Sequence, residues 1–277
     1  MNSKDILFYK KNGYLVKPNL ISKNFIQKIN NEIKKLKRLK NHKYFEYKKI
    51  KNKKYILRLQ DPHLRHSLFL NLSKNNKIIK IAASLMGGTA RFHHSKLNFK
   101  LPSKLGGVIH WHQDWSFYPH TNDDLLAVGI YLEDCFENNG PLKVIPGSHK
   151  GKLYNHHHKG NFIGKIKEKI NISNAVSLKG AAGTVTFHHV RTLHASGLNF
   201  TENSRPLLLF GYAAVDAWPL TYDKGSSADP NNNLSKYDML ILKGKKTLKP
   251  RITKTPIIIP LPRKSDSIYD LQKSKLK

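Results

Sequence analysis

The sequence predicts an α+β protein in which helices come first and a jelly roll of short strands follows. Its 277 residues, 39% of them hydrophobic, are enough to bury a sizeable core. Apolar residues recur at helical spacing up to about residue 88. From Thr89 onward, short segments rich in β-branched and aromatic residues alternate with turn residues. Many short strands with few helices between them favour a two-layer β fold.

Three helices are predicted in the first part of the chain. Ser3 is expected to cap a short helix that Gly13 ends. Ser22 is expected to cap a second helix, whose apolar residues share one face: Phe25, Ile26, Ile29, Ile33 and Leu36. A third is expected from about Ser73 to the glycines at residues 87–88.

Seven strands are predicted after these helices, with breaks at Gly, Pro and Asn residues that favour turns. They are residues 90–99, 108–113, 125–132, 142–145, 184–187, 193–200 and 207–215. We expect one domain spanning residues 1–277: a helical part over about 1–88, a β core over about 89–216, and a basic C-terminal extension over about 223–277. Much of this extension is expected to be loop or peripheral.

The charge of the chain is strongly positive and unevenly distributed. Lys and Arg total 49 against 18 Asp and Glu, a formal net charge of +31. Residues 100–220 hold 12 of the basic and 9 of the acidic residues, so they carry +3 and the flanks carry +28. Such a field attracts polyanions. No nucleic-acid-reading module is recognisable, however, and the lysines also fit the codon usage of an A+T-rich genome, so the charge does not favour a nucleic-acid partner.

Cysteine content and hydropathy favour a soluble, cytoplasmic protein. The single cysteine, Cys135, excludes intramolecular disulfides and thiolate-rich metal sites. Charged residues, among them Asp5 and Lys10, interrupt the apolar residues at the N-terminus, which therefore lacks the pattern of a signal peptide. Apolar runs such as residues 207–210 are much shorter than the ~20 residues of a membrane helix. No membrane span is expected, and the sequence does not indicate an oligomeric state.

The segment around His112 carries the clearest chemical signal. On a strand, alternate residues face the same side, so His112 and Asp114 present an imidazole and a carboxylate to one volume. Two histidines and a carboxylate are the ligand set of non-haem Fe(II) oxygenases. Spacing alone leaves other choices open, because His110 competes for the same strand face and the third ligand has several candidates in residues 184–194. The alternative is a pair of polar residues with no metal.

Arg205 strengthens the metal interpretation. It follows the last of those histidines, His194, by eleven residues and begins another apolar segment. A buried guanidinium beside a metal is suited to bidentate capture of a carboxylate.

Several separated motifs, in order along the chain, resemble the phytanoyl-CoA dioxygenase family. They are His-Gln-Asp at residues 112–114, Glu-Asn-Asn-Gly-Pro-Leu at 137–142 running on to Pro-Gly-Ser-His-Lys at 146–150, Thr-Leu-His-Ala-Ser-Gly-Leu-Asn at 192–199 before Arg205, and Phe-Tyr-Lys-Lys-Asn-Gly-Tyr-Leu-Val at 8–16. The resemblance covers roughly residues 5–215. It implies a dioxygenase that uses Fe(II), 2-oxoglutarate and molecular oxygen to hydroxylate a small molecule, with release of succinate and CO2. It also implies a double-stranded β-helix, a cupin-like jelly roll with N-terminal helices packed on one side.

The same resemblance implies the ligands of the iron. Carried over residue by residue, they are His112, Asp114 and His194, which would be the catalytic centre. Related halogenating enzymes lack the carboxylate and leave room for chloride there. The presence of Asp114 therefore indicates hydroxylation.

The resemblance also implies which residues bind 2-oxoglutarate. Arg205 would bind the distal carboxylate, and Ser196 would add a hydroxyl. The strand at residues 95–100 is similar to the family segment that touches the cosubstrate. Lys96 and Asn98 are expected to do so here, because alternate residues share a face.

The other site candidates have structural alternatives. Trp115, Tyr118 and Trp218 are candidates for the substrate pocket, with core packing as the alternative. His188 and His189 are expected to pack beside the ligands. The histidines at residues 156–158 are expected in a surface loop.

Two other functions compete with a small-molecule dioxygenase. One is a non-catalytic jelly-roll binding module, which the presence of the full ligand set disfavours. The other is an oxygenase that acts on a polyanionic macromolecule, which the nearly neutral middle of the chain disfavours. The charge slightly favours an anionic small-molecule substrate.

Overall fold

Two antiparallel sheets form the core of the protein, described here by a computed structural model that covers residues 1–39, 43–221, 230, 233–265 and 267–273. The large sheet contains, in order across it, β1 (Tyr14–Lys17), β11 (Val185–His189), β6 (Leu125–Tyr131), β13 (Arg205–Ala213), β4 (Ala90–Lys100), β3 (Lys53–Gln60) and β2 (Phe45–Ile50), and β14 (Ile241–Lys243) also pairs with β4. The small sheet contains β10 (Val176–Leu178), β7 (Leu142–Val144), β12 (His194–Ser196) and β5 (Ile109–His112). Strands β8 (His157–His158) and β9 (Asn161–Phe162) pair separately.

Helices precede, connect and follow these strands. They are α1 (Ser3–Asn12), α2 (Lys23–Arg38), α3 (Ser67–Ser73), α4 (Asn76–Leu85), α5 (Leu234–Asp238) and α6 (Ile268–Lys273). The cap predicted at Ser22 is confirmed, since its Oγ accepts from the Phe25 amide at 3.3 Å. The cap predicted at Ser3 is wrong, because the Asn2 side chain caps α1. The predicted third helix is confirmed as α4, which Asn75 caps, and α3 is an additional helix that ends at Ser73, where the predicted one was expected to begin.

The large sheet has one face against helices and the other toward the site. Along β6 and β13, alternate residues such as Val128, Ile130, Leu208 and Phe210 are fully buried in one hydrophobic cluster with the apolar residues of α2 and α4. The intervening residues, such as Arg205 and Leu207, line a cavity between the two sheets. The predicted α+β class is confirmed by this arrangement.

The hairpin of β2 and β3 departs from the predicted order of helices followed by strands. It lies within the part expected to be helical, and β3 pairs with β4 in the large sheet. Its sequence is rich in lysine at exposed positions, so the alternation of apolar and polar residues expected of a strand is not recognisable. Lysines are common on edge strands because they discourage pairing with other chains.

Much of the C-terminal extension is loop with exposed side chains, as expected, but parts of it pack against the rest of the protein where the structure describes it. Strand β14 joins the large sheet, and the indole Nε1 of Trp115 donates to the Pro256 carbonyl at 2.8 Å. Arg251 pairs with Asp216 at 3.0 Å and also with Asp124. Residues 223–229, 231–232, 266 and 274–277 of the predicted extension lie outside the described residues. Among the helices that are described, none is long and apolar enough to span a membrane.

Candidate active site

His112, Asp114 and His194 converge between the sheets. Antiparallel pairing of β12 with β5 sets His194 directly opposite His112. Asp114 follows two residues after His112, where a short 3-10 turn begins. One potential ligand atom of each side chain lies within 4.8 Å of the other two. The Asp114 Oδ1 is 3.9 Å from Nε2 of His112 and 3.7 Å from Nε2 of His194.

Backbone hydrogen bonds orient both imidazoles. The Nδ1 of His112 donates to the His110 carbonyl at 2.8 Å, and the Nδ1 of His194 donates to the Thr192 carbonyl at 2.8 Å. In a neutral imidazole the other nitrogen then carries the lone pair. Both Nε2 lone pairs are therefore available beside the carboxylate, which is the arrangement that a metal ligand requires.

Burial keeps these imidazoles neutral at physiological pH. It lowers the pKa of His194 to about 4, against the opposing attraction of Asp114. Burial, followed by the charge of His194, lowers the pKa of His112 well below its ordinary value. Burial would raise the pKa of Asp114, but His194, His188 and His112 hold it well below its usual range. The three groups thus offer a carboxylate and two neutral imidazoles, the ionisation states that bind a divalent metal.

Gln113, which lies between His112 and Asp114 in the chain, anchors this segment by hydrogen bonds. Its side chain is fully buried, donates to the Arg191 carbonyl at 2.9 Å and accepts from the Tyr154 amide at 2.9 Å. The backbone amide of Gln113 donates to Nε2 of His156 at 2.9 Å. The prediction of a surface loop is therefore wrong for His156, which is 1% exposed and fixes the backbone between two ligands.

The neighbouring histidines have distinct placements. His188 is buried, with Nε2 3.5 Å from Oδ2 of Asp114, so it contacts the carboxylate oxygen that faces away from the other two imidazoles. His189 lies outside the cluster, against Tyr9 and His149. The His110 side chain is exposed and belongs to no ligand group among the described residues.

Arg205 lies at one end of the cavity and is held by the Asn-Asn-Gly-Pro motif. Its Nε donates to the Asn139 carbonyl at 3.0 Å and its Nη2 to the Gly140 carbonyl at 2.7 Å. Arg205 is 5% exposed. The motif singled out in the sequence thus positions the guanidinium of Arg205.

Lys100 is the residue that the sequence analysis missed at this end. It pairs in register with Arg205, and its Nζ donates to Oγ of Ser196 at 3.0 Å. Burial, followed by the charge of Arg205, lowers the pKa of Lys100 to about 7. The alternation that pointed to Lys96 and Asn98 places Lys100 on the same face, so this signal was present in the sequence.

The cavity has a volume of about 410 Å³ and includes both predicted strand residues. Lys96 and Asn98 line it, and Asn98 Oδ1 accepts from Arg58 at 3.1 Å. Lys100, two residues beyond Asn98 on β4, is the residue of this strand that pairs in register with Arg205 and donates to Ser196.

Of the three predicted pocket aromatics, one lines the cavity. Tyr118 does so, and burial together with Asp114 raises its pKa well above the ordinary value, which keeps the hydroxyl protonated. Trp115 is fully buried in the core cluster, contrary to the prediction. Trp218 packs against Tyr237 and Arg91 and is not among the described residues that line the cavity. Trp115 is therefore a core residue, and Trp218, which is half-buried, packs outside the described lining of the cavity.

Comparison with known proteins identifies the family. The family model for phytanoyl-CoA dioxygenase (PhyH) matches residues 9–207. The chain belongs to the phytanoyl-CoA dioxygenase family. It is 40% identical over 239 residues to the probable alpha-ketoglutarate-dependent hypophosphite dioxygenase of Stutzerimonas stutzeri, an alignment that covers 83% of this chain and 80% of that protein. It is 30% identical over 177 residues to the ectoine dioxygenase of Stutzerimonas stutzeri strain A1501, with coverage of 56% and 57%.

Solved structures of other proteins share the fold of this chain. EctD from S. alaskensis with 2-oxoglutarate and 5-hydroxyectoine superposes with a TM-score of 0.67 at 19% identity, over 94% of this chain and 89% of that chain. The predicted jelly-roll core with helices is confirmed by this likeness. The predicted enzyme class is confirmed by the family: the protein is a 2-oxoglutarate-dependent non-haem iron dioxygenase that acts on a small molecule.

Proposed function

We propose that this dioxygenase oxidises a small oxyanion, hypophosphite or a close analogue. The observation that carries the proposal is the surplus of basic side chains in the cavity beside the ligand cluster. Five lysines and arginines line it, namely Arg58, Lys96, Lys100, Arg205 and Arg263, against two carboxylates, Asp61 and Asp114. The similarity to a probable hypophosphite dioxygenase supports the same substrate class.

The metal is assigned to His112, Asp114 and His194. Their convergent lone pairs and buried neutral imidazoles fit Fe(II), for which two histidines and one carboxylate leave further coordination positions open. When bound, the iron supplies the activation of oxygen, through which 2-oxoglutarate becomes succinate and CO2 and the substrate gains one oxygen atom. His188 contacts the carboxylate of Asp114 and orients it.

The cosubstrate is assigned to the end of the cavity that holds Arg205. Its guanidinium, the ammonium of Lys100 and the hydroxyl of Ser196 form a site for the distal carboxylate of 2-oxoglutarate. With Lys100 and Arg205 assigned to this dianion, the other basic residues that line the cavity are Arg58, Lys96 and Arg263. Burial raises the pKa of Asp61, and Arg65, Lys96 and Arg58 oppose this rise, so Asp61 partly balances the charges of Lys96 and Arg58.

Neutral donors surround the remaining volume. Tyr118 lines it with a protonated hydroxyl, and His93 and His94 line it beside the Tyr118 ring, at 5.1 and 5.3 Å between ring centroids. Burial lowers the pKa of both histidines well below the ordinary value, so they add hydrogen-bonding capacity without charge. A small oxyanion is suited to such a site, because each oxygen accepts several hydrogen bonds.

Turnover with a defined substrate panel tests the proposal. With Fe(II), 2-oxoglutarate and oxygen, hypophosphite is expected to stimulate succinate release. Hydroxylation replaces a P–H bond by P–OH, so one phosphite should appear per succinate, as measured by phosphorus NMR. Ectoine and L-proline serve as comparison substrates. Stimulation by either of these and none by hypophosphite would show that the substrate proposal is wrong.

Binding of 2-oxoglutarate is expected to weaken as pH rises above about 7. Lys100 must be protonated to attract the carboxylate, and burial together with Arg205 lowers its pKa to about 7 in the protein without cosubstrate. Affinity should therefore be constant below this pKa and fall by up to about tenfold per pH unit above it. Titration calorimetry between pH 6 and 9 measures this effect.

The Lys100→Arg variant is the control for this pH dependence. It keeps a positive charge throughout the range, so its affinity for 2-oxoglutarate should not vary with pH. Lys100→Met should bind more weakly at pH 6 and also show a flat profile. A wild-type profile retained in both variants would assign the titration to another group.

A methyl group at Gly140 is expected to disturb the carboxylate site. Gly140 has φ +72°, and its added Cβ would lie 3.0 Å from the Gly197 carbonyl oxygen and 3.1 Å from Cε of Lys100. Gly140→Ala should destabilise the fold by at least about 1–2 kcal/mol through backbone strain, and should raise the KM for 2-oxoglutarate. Thermal unfolding and kinetics measure the two effects.

Gly87→Ala provides the matched control. Gly87 has φ +75° but nothing within 4 Å of an added Cβ, so this variant carries the strain without the crowding. It should be destabilised and keep the wild-type KM. An equal rise of KM in the two variants would contradict the assigned role of Gly140.

A further inference from the structure

We propose that Arg58 binds the anionic group of the primary substrate and that Tyr269, on the C-terminal helix, positions it. This inference rests on the proposed oxyanion substrate and assigns the residue that holds it. The family model ends at residue 207, so the contribution of Tyr269 lies beyond the part of the chain that it matches.

Arg58 has the geometry of a prepared anion site. The residue is 2% exposed and lines the cavity. Its Nε donates to Oδ1 of Asn98 at 3.1 Å, and Nη1 lies 3.9 Å from Oε2 of Glu46, beyond hydrogen-bond distance. Within the described part of the chain, neither Nη nitrogen donates a hydrogen bond. The donors of a buried guanidinium are rarely left without hydrogen bonds. The two parallel N–H groups of a guanidinium match the spacing of two oxygens of an oxyanion.

Tyr269 covers one face of this guanidinium. The Cζ of Arg58 lies 5.1 Å from the centroid of the Tyr269 ring, within the range of a cation–π contact. Together with the Nε hydrogen bond to Asn98, this contact limits the plane in which the guanidinium can lie.

Helix α6 holds Tyr269 across the open side between the two sheets. The side chain of Gln272 accepts from the His110 amide on β5 at 2.9 Å and donates to the Gly164 carbonyl at 2.7 Å. Just before the helix, Oγ of Ser267 donates to Glu46 on β2. The helix therefore connects β5, the edge strand of the small sheet that carries His112, with β2, the edge strand of the large sheet next to the strand that carries Arg58.

The position of Arg58 separates it from the cosubstrate residues. Arg58 pairs in register with Asn98, whereas Arg205 pairs with Lys100, two residues further along β4. Two residues on a strand span roughly 6–7 Å. Arg58 and Arg205 thus serve adjacent places in one cavity, suited to two anions bound at the same time.

Direct binding measurements test the assignment. Protein loaded with Mn(II) and 2-oxoglutarate is titrated calorimetrically with hypophosphite, phosphite, formate and acetate. Arg58→Met is expected to weaken binding of the preferred anion by about 10- to 100-fold, with little change in the affinity for 2-oxoglutarate. Arg58→Lys should recover part of the loss, because it keeps the charge without the fork. Arg65→Met, which removes an arginine stacked on Tyr44 outside the cavity, is the control.

Two variants test the positioning role of Tyr269. Tyr269→Phe keeps the ring over Arg58 and should bind the anion as the wild type does, whereas Tyr269→Leu should weaken binding and raise KM with little change in kcat. Tyr44→Leu removes a comparable ring contact with Arg65 outside the cavity and should change neither. Equal losses in the Phe and Leu variants would overturn the role of the ring.

The outcomes separate this inference from the proposed function. Loss of 2-oxoglutarate binding in Arg58→Met, with anion binding intact, would assign Arg58 to the cosubstrate and overturn the inference. Failure of the wild type to bind any of the four anions would also overturn it. Anion binding that depends on Arg58, but without turnover of hypophosphite, would leave the inference standing and refute the substrate.

Discussion

Asp114→Ala is expected to lower turnover by more than about 100-fold. Removing a residue that only hydrogen-bonds to a metal ligand costs about 10- to 100-fold in metal affinity or activity, so removing a ligand itself should cost more. The carboxylate lies 3.7 Å from Nε2 of His194 and 3.9 Å from Nε2 of His112, and its removal leaves two imidazoles without the negative charge that attracts a cation. Metal content after dialysis against Fe(II) or Co(II), measured by mass spectrometry, should fall with the activity.

The control for this variant is Glu202→Ala. Glu202 is an exposed acid whose ion pair with Lys104 spans 3.2 Å at the surface, where such pairs contribute little. It should retain both metal and turnover. Full metal content in Asp114→Ala, together with wild-type turnover, would remove Asp114 from the ligand set.

Arg205→Lys is expected to raise the KM for 2-oxoglutarate by about 10- to 100-fold. A lysine cannot donate to the Asn139 and Gly140 carbonyls and also present a fork to the carboxylate. Because the ligand cluster is unchanged, kcat at saturating 2-oxoglutarate should recover most of the wild-type value. Steady-state kinetics at fixed substrate separates the two constants.

Arg191→Lys is the matched control for this loss. Like Arg205, Arg191 donates to a backbone carbonyl; it also pairs with Asp123 at 3.1 Å, and it does not line the cavity. Its replacement should lower thermal stability and leave the KM for 2-oxoglutarate unchanged. A wild-type KM in Arg205→Lys would instead assign the distal carboxylate to Lys100 alone.

The fold was predictable where local pattern and tertiary position agree. Strand β4 runs from Ala90 to Lys100, close to its predicted bounds, and it is a central strand whose burial alternates from residue 95 to residue 99. The β2–β3 hairpin was not predictable, because its lysines face solvent at the sheet edge and its strand conformation depends on pairing with β4. Helical capping was predictable at Ser22, but at the N-terminus Asn2 takes the place expected for Ser3.

The candidate site shows the same division. His112 and Asp114 are two residues apart, at the end of β5 where a 3-10 turn begins, so local structure brings them together, and the family motif adds His194 and Arg205. The indoles of Trp115 and Trp218 were plausible pocket residues in the sequence, yet Trp115 is buried in the core and Trp218 packs against Tyr237, away from the residues described as lining the cavity. The burial of a large aromatic side chain depends on what packs over it, and local pattern does not report this.

The sequence by itself determined the enzyme class and the residues that form the metal cluster, because short spacings and ordered motifs carry that chemistry. The folded structure was needed to show that Lys100, on the strand face that alternation already indicated, pairs with Arg205, that His156 holds the backbone between two ligands, and that Tyr269 covers Arg58. These contacts join residues distant in the chain, and strand register and helix docking set them. The physical reason is that a hydrogen bond or a ring contact depends on a distance of a few ångströms in the folded chain, which only the packing of the sheets and the C-terminal helix defines.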